Sequence, residues 1–199
     1  MRRARPLLAT GFAALLAACA TPTATPDTLD APPLVDGRYS THVARGTFAA
    51  PPDELRAWID ADHRFLYSLP DTADVARPVD FDMLAGTWPQ AGAVRRLRFS
   101  DGSTAMERVV DSDLPARFTY QVWDFTSDTG RDIEYILGRQ ELSANADGGS
   151  DLTWTYQLRA NDPAKKPMVD AFVASNVSVL LDSSVANVER QAAAAFGAP

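Results

Sequence analysis

The chain has 199 residues, of which 46% are hydrophobic and 23% charged, as in ordinary globular proteins. Its 26 acidic residues outnumber 19 basic ones, which argues against a general nucleic-acid-binding protein, because such a protein presents basic residues to phosphates. The two histidines and one cysteine exclude an intramolecular disulfide and most zinc sites, and we expect neither a metal nor another cofactor.

Residues 1–18 have the pattern of a secretory leader. Three arginines precede an apolar run from Pro6 to Ala18, which is too short to span a membrane and is typical of a signal peptide. The run ends Leu-Ala-Ala-Cys19, which resembles the lipobox of bacterial lipoproteins. The resemblance implies cleavage before Cys19 and attachment of acyl chains to this residue. The alternative is an ordinary signal peptide with an incidental cysteine.

Residues 19–37 are interpreted as the lipidated cysteine and a flexible tether. Residues 20–36 are rich in Thr, Pro, Ala and Asp without hydrophobic periodicity, which is typical of a semi-extended linker. The remaining residues, 38–199, suffice for one domain with a single core. The leader predicts a lipid-anchored protein of the bacterial cell envelope. Because Ala20 rather than Asp follows the cysteine, we expect it at the outer membrane, facing the periplasm.

The first predicted elements of the domain are a strand and two short helices. Residues 39–48 alternate loosely and are rich in β-branched and aromatic side chains, which favours a strand. Prolines 51 and 52, followed by two acidic residues, are typical of the first turn of a helix. A second short helix is predicted over 63–68, and a short strand over 81–88.

An antiparallel meander follows. Strands are predicted at residues 93–99, 103–111, 117–125, 132–143 and 151–159. The Asp101-Gly102 pair is a strong hairpin signal between the first two. In the last strand Leu152, Trp154, Tyr156 and Leu158 fall on one face and polar residues on the other. One face of the sheet is therefore expected to be covered and the other to be in contact with water.

The predicted cover is a long C-terminal helix. Asp162 and Pro163 are typical of a helix start, and no helix breaker follows before Gly197. The helix is therefore expected to run over about residues 163–196. Its apolar stripe includes Phe172 and Leu180, and an amphipathic helix of this length needs a large apolar surface to lie on.

Several short segments and their order carry a resemblance to a known family. These segments are 92–102 (GAVRRLRFSDG), 106–109 (MERV), 118–122 (FTYQV), 137–139 (LGR) and 152–154 (LTW). With the final helix they resemble the polyketide cyclase/dehydrase-like branch of the SRPBCC, or START-like, helix-grip superfamily, over about residues 38–196.

The resemblance implies an α+β, helix-grip fold. In this fold a curved antiparallel sheet of six to seven strands wraps around the long C-terminal helix, and two short helices follow the first strand. Between sheet and helix, members of the superfamily hold a deep, mostly apolar cavity. Such cavities bind lipids, polyketides or aromatic compounds, and a few members catalyse cyclisation or dehydration.

Arg95 and Glu107 match an arginine and a glutamate that recur in this branch. As a pair inside the cavity they would orient the polar head of a ligand. A two-residue Asp101-Gly102 turn instead places Arg96 opposite Glu107 and puts Arg95 on the other face, whereas a bulge would reverse this. The alternative is a surface pair that contributes little to stability.

Large side chains supply the other candidates for a ligand pocket, because aromatic rings stack on flat ligands. These candidates are Tyr120, Trp123, Tyr135, Trp154, Tyr156, Phe172 and Leu180. Core packing is the alternative for each, and no catalytic residue is assigned.

The sequence favours a membrane-anchored envelope lipoprotein that binds or carries a small apolar ligand. The alternatives are a cyclase- or dehydratase-type enzyme acting on a hydrophobic substrate, and an interaction protein without a cavity. The expected partners are the ligand and, through the N-terminal lipid, the membrane. No nucleic-acid partner is expected.

Overall fold

A computed structural model describes residues 29–199, so the predictions for the leader and for Cys19 lie outside the described residues. The elements before the C-terminal helix are β1 (Ser40–Phe48), α1 (Pro52–Ala61), α2 (Arg64–Tyr67), β2 (Pro78–Ala85), β3 (Val94–Phe99), β4 (Thr104–Asp113), β5 (Arg117–Trp123), β6 (Ile133–Ala144) and β7 (Ser150–Ala160). The helix covers Pro163–Phe196. The predicted α+β fold and its element order are confirmed.

The seven strands form one antiparallel sheet in the order β1-β7-β6-β5-β4-β3-β2. Strands β2 to β7 follow one another as a meander, and β1 pairs with β7 at the far edge. Register shifts interrupt β2, β4 and β6, and shifts of this kind bend a strand. The inner face of the sheet, defined as the face toward the C-terminal helix, carries the main hydrophobic core.

The observed register of the β3–β4 hairpin shows that the predicted two-residue turn is wrong. Arg95 pairs directly with Glu107, and Arg96 pairs with Met106. The amide of Phe99 donates to the carbonyl of Ser103 at 2.9 Å, so three residues, 100–102, form the loop. Gly102 has φ +85°, the left-handed conformation that ends a three-residue hairpin loop. The extra loop residue moves the pairing by one position and places Arg95 and Glu107 on the inner face.

The C-terminal helix is capped as expected. The Asp162 carboxylate accepts a hydrogen bond from the amide of Ala164 at 2.9 Å, and Gly197 ends the helix with φ +97°. By length and composition the helix could cross a membrane. Leu181 and Val188 are, however, fully buried against the rest of the domain. We therefore interpret it as the core helix of the fold.

A π-helical turn, Val173–Val177, interrupts this helix. The buried residues around it, Val169, Val173, Val177, Leu181 and Val185, recur every fourth position. In a regular α-helix such a spacing rotates the stripe by about 40° per step. The wider π turn offsets part of this drift, and Val173 and Val177 both remain buried in the core.

A second, smaller hydrophobic cluster lies on the outer face of the sheet, opposite the C-terminal helix. Its buried members are Val94, Met106, Trp123 and Tyr135, and Leu29 and Ala31 of the N-terminal segment pack against them. Gln121 donates from its side chain to the carbonyl of Pro32 at 2.9 Å. Residues 29–36, expected to belong to the flexible tether, are therefore docked on the sheet at least in part.

Candidate functional site

A cavity of about 170 Å³ lies between the inner face of the sheet and the C-terminal helix. Sheet residues Tyr120, Trp154 and Tyr156 form part of one wall, and helix residues Phe172 and Leu180 form part of the other. Helix α2 and the end of α1 close a third side. The cavity reaches the surface where exposed Asp74, Asp101 and Thr129 line it.

All the sequence-predicted pocket residues except two line this cavity. Those that do are Arg95, Glu107, Tyr120, Trp154, Tyr156, Phe172 and Leu180. Trp123 and Tyr135 do not, because they lie directly opposite each other on the outer face. Their strand neighbours Val122 and Ile136 take the inner positions, since successive side chains of a strand point to opposite faces.

Tyr120 and Trp154 form a buried polar contact in the wall. The Trp154 indole Nε1 donates to the Tyr120 hydroxyl at 2.9 Å, which satisfies the polar edge of each ring. Gly138 on β6 makes room for this arrangement, because a Cβ there would overlap the Tyr120 ring. The absence of a side chain at Gly138 therefore allows the Tyr120 ring to lie across β6.

Tyr156 presents a hydroxyl-bearing ring to the cavity. It is half-buried and lines the cavity. Burial, followed by the negative charge of Glu107, raises the pKa of Tyr156. Its hydroxyl is therefore a neutral hydrogen-bonding group at neutral pH.

Arg95 and Glu107 form a fully enclosed ion pair. Each residue is 3% exposed, and the Arg95 Nε donates to the Glu107 Oε2 at 2.5 Å. The guanidinium carbon of Arg95 lies 3.5 Å from the Trp88 ring centroid and 4.8 Å from that of Phe81, which is cation–π geometry. Burial raises the pKa of Glu107, and the positive charge of Arg95 opposes that rise.

Arg56 is a second buried arginine of the cavity wall, and sequence reasoning missed it. It lies on α1, is 4% exposed, and donates from Nη1 to the Gln140 Oε1 at 3.0 Å. A second contact, to the Asp60 Oδ1, is 3.5 Å long. Burial lowers the pKa of Arg56, and Asp60 partly offsets this effect. In the sequence, Arg56 and Asp60 have the i,i+4 spacing of a solvent-exposed helical pair.

The mouth of the cavity is bridged by one side-chain contact. The Thr129 hydroxyl donates to the carbonyl of Asp74 at 2.8 Å, so the β5–β6 loop is joined to the segment before β2. Both residues are exposed and line the opening. This contact therefore lies at the opening of the cavity.

Comparisons with known proteins identify the fold. No family model matches the chain, and no curated protein matches it. Among solved structures, Ara h 8.0201 is 17% identical with a TM-score of 0.55, covering 76% of this chain and 98% of its own. The major latex-like protein 151 of Panax ginseng is 16% identical with a TM-score of 0.56, covering 80% and 99%. TTHA0849 of Thermus thermophilus is 13% identical with a TM-score of 0.56, covering 78% and 98%. These likenesses show the helix-grip fold.

Proposed function

We propose that this protein is a lipid-anchored envelope protein of the polyketide cyclase/dehydrase-like branch, and that its domain binds one small, mostly apolar ligand. The observation that carries the proposal is the cavity between the sheet and the C-terminal helix. Its walls combine aromatic and aliphatic side chains with a few polar groups, among them the buried Arg95 and Glu107 and the half-buried Tyr156. This combination is typical of ligand sites, in which polar groups orient a ligand held by apolar contacts.

The size of the cavity narrows the class of ligand. Its volume of about 170 Å³ is below the roughly 300–1,000 Å³ of sites for drug-sized molecules. It is close to the volume of an apolar cavity of about 150 Å³ that binds benzene. This volume favours a compact ligand, with a single ring or a short acyl chain, over a sterol or a diacyl lipid.

The anchor is the second part of the proposal. It rests on the lipobox-like sequence that ends at Cys19. If Cys19 is lipidated, only residues 20–28 separate the lipid from the docked segment 29–36, which at about 3.4 Å per residue span at most about 30 Å. The domain would then stay close to the membrane surface.

Titration of the full chain with 1-octanol tests the binding proposal. Leu180 is buried and lines the cavity, so Leu180→Trp should fill the cavity and abolish binding. Val179, the preceding residue, is 52% exposed, and Val179→Trp is the matched control. Isothermal titration should show one site per chain in the wild type and in the Val179 variant. Absence of binding of both 1-octanol and octanoate to the wild type, or binding of 1-octanol that is unchanged in the Leu180 variant, would refute the proposal.

The anchor is tested in cells. Cys19→Ser should move the protein from the membrane fraction to the soluble fraction and abolish labelling with a radioactive fatty acid. Unchanged membrane partitioning of this variant would show that the chain is not anchored through Cys19.

A further inference from the structure

Arg56 holds hydrogen-bond donors that the protein leaves unused. Its Nη1 is engaged by Gln140 and Asp60. Its Nε and Nη2 are both buried and have no hydrogen-bond partner among residues 29–199. A buried donor without an acceptor is costly, and the cost is larger for a charged group. Most buried side-chain polar atoms of native proteins have a hydrogen-bond partner, so such a group calls for an explanation.

The two unused nitrogens of Arg56 form one edge of its guanidinium group. The Nε–H and the outward N–H of Nη2 are parallel, and this edge matches the two oxygens of a carboxylate. Gln140 accepts from the other side of the group at 3.0 Å and so fixes its plane. The side chain is thus held in place, and its carboxylate-binding edge has no hydrogen-bond acceptor among residues 29–199.

The rest of the polar wall also offers donors in excess of acceptors. Arg95 uses Nε for Glu107, while its Nη1 is buried and unpartnered within the described chain. Glu107 is committed to this pair, and Asp60 lies 3.5 Å from Arg56 at the limit of a hydrogen bond. A ligand that adds hydrogen-bond acceptors is therefore complementary to the unpartnered donors of Arg56 and Arg95.

From this geometry we infer that the cavity selects compact apolar molecules carrying a carboxylate, and that Arg56 binds the carboxylate through its Nε and Nη2 edge. The inference rests on the proposed function and adds the chemical class of the ligand to it. The apolar part of the acid lies against the aromatic and aliphatic wall, with Leu180 and Tyr156 among its contacts.

The test compares octanoate with 1-octanol, which share an eight-carbon chain and differ in charge. A wholly apolar cavity prefers the alcohol, because burying an unpaired carboxylate is very costly. A cavity in which Arg56 pairs with the carboxylate prefers octanoate instead. Isothermal titration of the full chain at pH 7 should give octanoate the tighter binding, by about tenfold or more, the value of one charge-assisted hydrogen bond.

Two variants test whether the preference for octanoate depends on the Arg56 side chain. Arg56→Met keeps the length of the side chain and removes its charge, and it should weaken octanoate by about ten- to a hundredfold and 1-octanol by less, so that the preference for octanoate is lost. Arg139 is exposed on the outer face of β6, so Arg139→Met is the matched control and should change neither affinity. If Arg56→Met does not fold, Arg56→Lys replaces it and should weaken octanoate by losing the two-pronged contact.

The outcomes separate the two proposals. Equal or tighter binding of 1-octanol by the wild type overturns the carboxylate inference and leaves the binding function standing. An octanoate preference that survives in the Arg56 variant overturns the assignment to Arg56. Failure of both ligands to bind overturns the proposed function, and the inference with it.

Discussion

Replacing Arg95 by methionine should destabilise the protein more than any ordinary surface substitution. The change leaves Glu107 in a cavity wall where both residues are 3% exposed, and it removes the stacking of Arg95 on Trp88. Removing one partner of a buried ion pair costs about 3–5 kcal/mol. For a domain of this size, each kcal/mol lowers Tm by about 2–4 °C, so we expect a loss of about 6–20 °C.

The loss should depend on pH in a defined direction. Burial already raises the pKa of Glu107 above its ordinary value while Arg95 holds it down, and removing Arg95 raises it further. A carboxyl whose folded-state pKa is raised contributes its full stability below the unfolded value of about 4.3 and loses it as pH rises through the folded pKa. The destabilisation of Arg95→Met should therefore be small near pH 4 and largest at neutral pH.

Urea unfolding of the variants measures this effect, and two comparisons make it specific. Arg96→Met changes the next residue of β3, which is only partly buried on the outer face, and should cost less than about 1 kcal/mol. The double variant Arg95→Met/Glu107→Leu removes both charges and should recover most of the stability. Equal effects at positions 95 and 96, or a double variant as unstable as Arg95→Met, would refute the reasoning about the buried pair.

Three further predictions concern the walls of the cavity. Leu181→Ala, at a fully buried position of the C-terminal helix, should cost about 2–5 kcal/mol in urea unfolding, and an unchanged midpoint would contradict burial of the helix. Gly138→Ala should displace the Tyr120 ring, lower the free energy of unfolding by about 1–3 kcal/mol and weaken the binding of 1-octanol in calorimetry. Unaltered stability and binding would show that the Tyr120 ring does not need a residue without a side chain at position 138. Burial, followed by the charge of Arg95, lowers the pKa of His63, so wild-type stability should fall as pH drops below about 6.5. Asn tolerates the positive φ at this position, so His63→Asn should fold and should lack that part of the pH dependence of Tm in thermal melts. The same pH dependence in the variant and the wild type would contradict the assignment to His63.

The architecture was predictable because each element carries its own periodic signal. The alternation of Leu152, Trp154, Tyr156 and Leu158 identifies both β7 and its inner face. The long helix is defined by its polar start at Asp162 and its end at Gly197. These signals are local, and the structure confirms the elements they predict.

The register of the β3–β4 hairpin could not be read from its turn sequence. A two-residue loop and a three-residue loop both favour Gly at a position with positive φ, so Asp101-Gly102 fits either. Only the second brings Arg95 opposite Glu107. The difference of one residue decides whether a charged pair faces the cavity.

One of the pocket residues could have been placed better from spacing alone. Trp123 is three residues from Tyr120, so the two cannot share a face of a regular strand. Tyr135 lies opposite Trp123, and this pairing requires the register of β5 and β6. The position of Arg56 in the cavity wall could not be predicted from spacing. Its burial and its hydrogen bond to Gln140 join positions 84 residues apart, a contact that exists only in the tertiary structure.

The central claim is that a small amphipathic ligand binds inside the sheet–helix cavity. Isotope-edited NMR of the full chain with ¹³C-labelled octanoate tests it most directly. The account predicts intermolecular NOEs from the acyl chain to Leu180, Trp154 and Tyr156 in the cavity wall. NOEs to Trp123 and Tyr135 on the outer face instead, or none to the cavity residues under saturating octanoate, would contradict it.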